Sequence, residues 1–236
     1  MTLKLFPPSF SVNRLVLIAT FVLLCSALAT AQTYSNLDTL SGWQSCGGCA
    51  GANGVGPNTP RSLGITSSPS VDGSALRFSI SPTQSYSNAL WYKSVSPSGA
   101  THYAYDFYVF FKSLTAPQAL EFDVMQGNGG RARTFGTECK PAAHLWKIWG
   151  NSQWYNSVNC SLAAGKWNHV IWEFSRANGG VTFVSVTVNG VKHYVNRTFG
   201  TRSTGATYLH ATVQLDGNVN RTAYSIWVDK LTLAAF

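Results

Sequence analysis

Leu120-Glu121-Phe122-Asp123-Val124-Met125-Gln126 alternates apolar and polar side chains with a period of two, the repeat of a β-strand that buries one face and opens the other. Leu120, Phe122 and Val124 fall on one side, Glu121 and Asp123 on the other. Two of the chain's nine acidic residues therefore stand together on an open sheet face. An aromatic segment, His144-Leu145-Trp146-Lys147-Ile148-Trp149, follows closely.

The same period recurs on both sides of this strand. Leu76, Phe78 and Ile80 alternate with polar residues, and strands are expected over 89–93, 102–112, 119–125, 145–149, 154–158, 167–174, 181–188, 191–196, 208–215 and 224–233. Asn189-Gly190 joins two alternating runs and predicts a tight hairpin, because both residues tolerate positive φ. Gly150-Asn151-Ser152 predicts a second turn. Gly127-Asn128-Gly129-Gly130-Arg131 reads as a flexible loop beside the acidic strand, and with no helix behind it, it is not a phosphate cradle. Ten or more strands with short turns predict an all-β, two-sheet antiparallel jelly-roll sandwich.

Composition agrees. Of 236 residues, 45% are hydrophobic and only 11% charged, and long helix-period stretches rich in Ala, Glu, Lys and Leu are missing, which excludes a helical bundle. Lys4, Arg14, the apolar run 15–28 and Ala29-Thr30-Ala31 predict a secretory signal over 1–31, cleaved after Ala31. The expected product is a secreted, monomeric protein free of the membrane, one sandwich domain over 32–236. Its region 32 to about 72, rich in Gly, Ser, Asn and Pro, is irregular but docked. Losing the leader removes Lys4 and Arg14 and lowers the net charge from +8 to +6. The basic residues are scattered, so no nucleic-acid partner is expected.

Cys46, Cys49, Cys139 and Cys160 remain in an oxidising compartment, where disulfides are the default and three pairings are possible. Gly47-Gly48 permits a local Cys46–Cys49 ring, which would leave Cys139 with Cys160. Metal binding by Cys46 and Cys49 is the rival reading.

Gly165-Lys166-Trp167-Asn168-His169-Val170, followed by Val184 to Val188 and Asn189-Gly190, resembles the paired strands of laminin-G-like and pentraxin-like domains in the concanavalin A-like lectin/glucanase superfamily. The acidic strand is similar to the E-x-D-x-x-E strand of laminarinase-type glucanases in that superfamily. The resemblance implies a nucleophile at Glu121 and an assisting acid at Asp123. At the acid/base position this chain has Gln126, an amide that cannot donate a proton as a carboxylic acid does. The superfamily also implies calcium at the sandwich rim; Asp216, in Asp216-Gly217-Asn218, and Asp229 are the candidate ligands.

The leading expectation is recognition of an extracellular polysaccharide or oligosaccharide on a concave face. Glu121, Asp123 and Gln126 would bond hydroxyls, Arg131 and Arg133 would meet acidic groups, and His144, Trp146, Trp149 and Trp154 would line or stack on the sugar. On a strand, Trp149 shares a face with Lys147, and Trp146 with His144 and Ile148, so one tryptophan per face is expected in the core. Trp172 and Trp227 are expected there too. The alternatives are a glycoside hydrolase or polysaccharide lyase using Glu121 and Asp123, with Glu138 or Asp216 as a third acid, and a structural or adhesive surface protein without a cleft.

Overall fold

The computed structural model describes residues 31–48, 59–97, 99–176 and 179–236. Residues 1–30, which carry most of the expected leader, and Cys49 lie outside them. The described strands are β1 (Gln32–Tyr34), β2 (Gln44–Gly47), β3 (Arg61–Thr66), β4 (Ala75–Ile80), β5 (Asn88–Val95), β6 (His102–Phe111), β7 (Pro117–Asn128), β8 (Arg131–Phe135) and β9 (Thr137–Lys140). They continue with β10 (Leu145–Gly150), β11 (Gln153–Asn159), β12 (Trp167–Ser175), β13 (Val181–Val188), β14 (Val191–Phe199), β15 (Arg202–Ser203), β16 (Tyr208–Gly217) and β17 (Tyr224–Ala235).

They form two antiparallel sheets, a jelly-roll sandwich. One sheet runs β14-β13-β12-β6-β17-β4-β3, with β1 added beside β17. The other runs β11-β10-β9-β7-β16-β5-β2, with β8 on β7 and β15 on β8. The described parts of the N-terminal region add strands to both sheets: β1 and β3 join the first and β2 the second. Trp43 helps to pin it: its indole donates to the Leu37 carbonyl at 2.9 Å and its ring meets Phe78 edge-on.

Period-two patterning builds the core. Tyr103, Tyr105, Phe107, Val109 and Phe111 of β6 face Leu120, Phe122 and Val124 of β7, all of them buried. Phe107 stacks on Phe122 at 4.3 Å between ring centroids. Trp146 meets Trp172 edge-on at 5.3 Å across the sandwich. Burying a side chain of this size stabilises the fold by about 2–3 kcal/mol relative to leaving it exposed. Trp172 is in this core as expected. Trp227 is buried elsewhere: it lies on the outer face of its sheet, edge-on to Phe110 with Lys112 over its ring.

The Asn189-Gly190 hairpin forms as read, with φ of 50° and 84° at its two turn residues. The glycine-rich segment after the acidic strand does not form a loop. β7 continues to Asn128, Gly129 and Gly130 make a two-residue turn with φ of 58° and 74°, and β8 returns at once. Two consecutive positive φ values are what such a hairpin needs and what glycine allows without strain. Cys139 and Cys160 are disulfide-bonded, tying β9 to the end of β11. Cys46 is also disulfide-bonded.

Candidate functional site: an acidic groove on the nine-stranded sheet

β7 lies in the middle of its sheet, between β16 on one side and β8 and β9 on the other. Its even-numbered apolar side chains fill the core, so Glu121, Asp123 and Met125 point outward and line a groove of about 600 Å³. Register brings further acids to them. Glu121 lies opposite Gln214 of β16 and Glu138 of β9. Asp216 lies two residues beyond Gln214, on the same face.

The floor of the groove is a bonded network. The Gln214 amide donates to Glu121 Oε1 at 2.7 Å and to Asp216 Oδ1 at 2.8 Å. The Thr137 backbone N–H donates to Asp123 Oδ1 at 2.8 Å. Lys147 and Lys140 approach Glu138 Oε1 at 3.5 and 3.7 Å. One oxygen each of Glu121, Glu138 and Asp216 lies within 4.8 Å of the others.

Burial and mutual repulsion raise the proton affinity of these groups. Glu121 is pushed well above the ordinary carboxylate range by burial and then by the charges of Asp216, Asp123 and Glu138. Burial lifts Asp123 to about 7, against the pull of the Thr137 N–H. Burial likewise lifts Asp216 to about 6, opposed by hydrogen bonds from Glu121 and Gln214. Glu138 is raised by burial, with both lysines acting the other way.

One wall is aromatic. Asn151 and Ser152, both at positive φ, turn β10 into β11 and place Trp149 opposite Trp154. Their rings meet edge-on at 5.2 Å, both half-buried and both lining the groove. Arg202 of β15 completes this end.

Of the residues expected to meet a ligand, the fold brings Glu121, Asp123, Trp149 and Trp154 together. The other five lie elsewhere. β7 pairs with β16 without a bulge from Leu120 to Gly127, so Gln126 falls on the interior face, where its amide donates to the Tyr103 hydroxyl. A carboxylic acid at this position would not reach the groove either. Arg133 has the same parity across the ladder, is 4% exposed, and sits 3.5 Å from Gln126 Oε1. Arg131 reaches the Gly179 carbonyl. Trp146 is in the core. His144 follows the 3₁₀ turn Pro141–Ala143 with φ of 50° and borders a separate depression with Leu114 and Leu162.

Both possible third acids, Glu138 and Asp216, do adjoin Glu121. Sequence reading did not single out Asn88, Gln214, Thr134 or Arg202, which also line the groove. For Gln214 a signal was present: Tyr208, His210, Thr212, Gln214 and Asp216 alternate with Leu209, Ala211, Val213 and Leu215. That pattern marks an open face, but not the neighbour it lies beside.

Asp216 and Asp229 do not form one cation site, because they lie on the outer faces of opposite sheets. Asp229 instead lies close enough to Asp38 for its charge to act on it. Asp229 Oδ2 accepts the Val71 amide, and among the described residues its Oδ1 is buried without a hydrogen-bond partner. Asp38 accepts the Leu231 amide at 2.8 Å, and burial followed by the charges of Asp229 and Asp72 raises its pKa. Two buried carboxylates, one with an oxygen left over, fit the calcium that the superfamily resemblance implies; a bound ion there would neutralise them and fasten the N-terminal segment to β17.

No family model matches the sequence, and no curated protein matches it. Solved structures do match in fold. Arcelin-5, a lectin-like defense protein from Phaseolus vulgaris, superposes with a TM-score of 0.56 at 12% identity, over 88% of this chain and 99% of that one. The globular domain of T. cruzi calreticulin gives 0.51 at 8% identity, over 88% of each chain. A carbohydrate esterase from the Shiga toxin-encoding bacteriophage phi24B gives 0.50 at 14%, over 82% of this chain and 90% of that one. At such identities the likeness establishes the two-sheet β-sandwich fold and nothing finer.

Proposed function

We propose that the groove binds a segment of polysaccharide or oligosaccharide, and that the protein is a secreted, monomeric carbohydrate-binding protein. The observation that carries this reading is the half-buried Trp149–Trp154 wall beside a floor of carboxylates and amides. Sugars present apolar C–H faces that stack on aromatic rings, and hydroxyl donors that seek acceptors. The same fold serves a lectin-like protein and a carbohydrate esterase, so the choice between binding and catalysis rests on the groove itself. Glu121 and Asp216 share one amide and hydrogen-bond to each other. That places them side by side in a floor, whereas a glycosidase holds two carboxyls about 5–9.5 Å apart across the bond to be cut.

The test is retention on a panel of insoluble polysaccharides together with a glycan array. Wild type should bind at least one glycan, and Trp149→Ala should weaken that binding about tenfold, the equivalent of about 1.4 kcal/mol for a lost stacking partner. No binding to any glycan, or binding that Trp149→Ala leaves intact, would sink the proposal.

A hydrolase or lyase is the second reading. It is favoured by Asp123 near 7 and Asp216 near 6, values suited to proton transfer close to neutral pH. Release of reducing ends or unsaturated products that disappears in Glu121→Gln would establish it in place of simple binding. The adhesive reading without a cleft predicts a covered face around Glu121, and the open groove speaks against it.

A further inference from the structure

The groove floor crowds acidic groups around few donors among the described residues, and Glu121 and Asp216 hydrogen-bond to each other. Gln214 spends its amide on Glu121 and Asp216. The Thr137 N–H is spent on Asp123. Both lysines of the cluster lie against Glu138. Among the described residues neither Glu121 nor Asp216 has a Lys, Arg or His at ion-pair distance.

A second observation comes from β5. Asn88 lies directly opposite Asp216 in the ladder, lines the same groove and is 5% exposed. Among the described residues its side-chain carbonyl oxygen is buried with no hydrogen-bond partner. Leaving such an oxygen bare costs about 1–3 kcal/mol; beside it, Asp216 is itself an acceptor and the Gln214 amide is already engaged.

We propose that Glu121, Glu138, Asp216 and the Asn88 side-chain carbonyl hold a divalent cation of the calcium class in the groove floor, with its open coordination positions turned toward the hydroxyls of a bound glycan. The set is all oxygen, with no imidazole or thiolate, which selects a hard cation over zinc or copper. Size agrees as well. Oxygens on opposite sides of a calcium ion, each at about 2.3–2.6 Å, lie about 4.6–5.2 Å apart, and the three carboxylate oxygens lie within 4.8 Å of one another. Four protein ligands leave roughly two to four of calcium's six to eight positions free, room for water or for two neighbouring hydroxyls of one sugar ring. This site is separate from the Asp38–Asp229 pair on the opposite outer face. The glycan half of the proposal rests on the carbohydrate reading above; the ion half does not.

Terbium replaces calcium in oxygen sites and luminesces when a nearby tryptophan is excited, and Trp149 and Trp154 line this groove. Metal-stripped protein titrated with terbium should show sensitised emission that calcium displaces. Asp216→Asn and Asn88→Ala should each weaken the ion at least tenfold, while Asp229→Asn should leave this emission in place. Asp216→Asn removes one of several crowded like charges, so its ion-free melting temperature should not fall, which separates lost binding from lost folding. Absence of sensitised emission overturns the site, as does emission that is insensitive to Asp216→Asn and Asn88→Ala. Polysaccharide retention measured with and without calcium keeps the two readings apart. Terbium binding with no glycan retention supports the ion site and overturns the carbohydrate reading. Retention in chelator without terbium binding does the reverse.

Discussion

Asp123 allows a quantitative prediction about pH. It is 3% exposed and its proton affinity rises from an ordinary value of 3.8 to about 7, chiefly through burial, with Asp216 and Glu138 adding negative charge. Between those two values the native protein keeps the proton and the unfolded chain has released it. The native state then binds more protons, so stability falls as pH rises through the window and is level outside it. At about 1.4 kcal/mol per pH unit, the full window is worth about 4 kcal/mol. For a chain of this size each kcal/mol moves the melting temperature by about 2–4 °C, so a drop of roughly 8–16 °C is expected between about pH 4 and pH 7.5 in metal-free buffer. Glu173 works in the opposite sense, since hydrogen bonds from Lys192 and Ser185 lower its pKa. Its stabilisation is lost only as pH falls below the ordinary glutamate range, and a pair this exposed contributes little. The assay is a set of thermal melts across the window for wild type and Asp123→Asn. The variant should lose Asp123's share of the slope and keep the part due to Glu121, Asp216 and Glu138, whose raised proton affinities act in the same sense. A wild-type melting temperature that is level or rises with pH, or a variant that falls as steeply as wild type, would refute the reasoning.

The two tryptophans of the aromatic segment should separate cleanly. Trp146→Ala opens a cavity beside Trp172 and should cost about 3–5 kcal/mol in a denaturant melt, whereas Trp149→Ala should leave the midpoint within about 1 kcal/mol and act on glycan retention. Reducing or replacing Cys139–Cys160, which span 21 residues, should cost about 3 kcal/mol in a calorimetric melt through the loop it frees in the unfolded chain.

Much of this architecture was legible along single strands. Alternation at Leu120, Phe122 and Val124, at Leu76, Phe78 and Ile80, and along 102–112 assigns an inward and an outward face, because a strand's side chains switch sides at every residue. Asn189-Gly190 and Gly150-Asn151-Ser152 were readable as turns, since their residues accept positive φ. Parity alone also implied that Trp146 and Trp149 face opposite ways. Where reading failed, the cause was local. The E-x-D-x-x-E resemblance carried Gln126 to the groove, but without a bulge after Asp123 an odd offset from Glu121 reverses the face. Gly129-Gly130 resembled a loop because a two-residue turn and a longer one share their composition.

What the chain by itself determined is the two-sheet sandwich and the outward face of Glu121 and Asp123, both consequences of side-chain period and turn chemistry within a few residues. The tertiary structure alone decided which outward faces meet. Asn88, Glu121, Glu138 and Asp216 come from four strands spread over more than a hundred residues, and cross-strand register places them on one floor. Register depends on how two sheets close over a shared core, a long-range condition that no single strand's pattern contains. The groove, its crowded acids and its unpartnered carbonyl therefore exist only once the sandwich has formed.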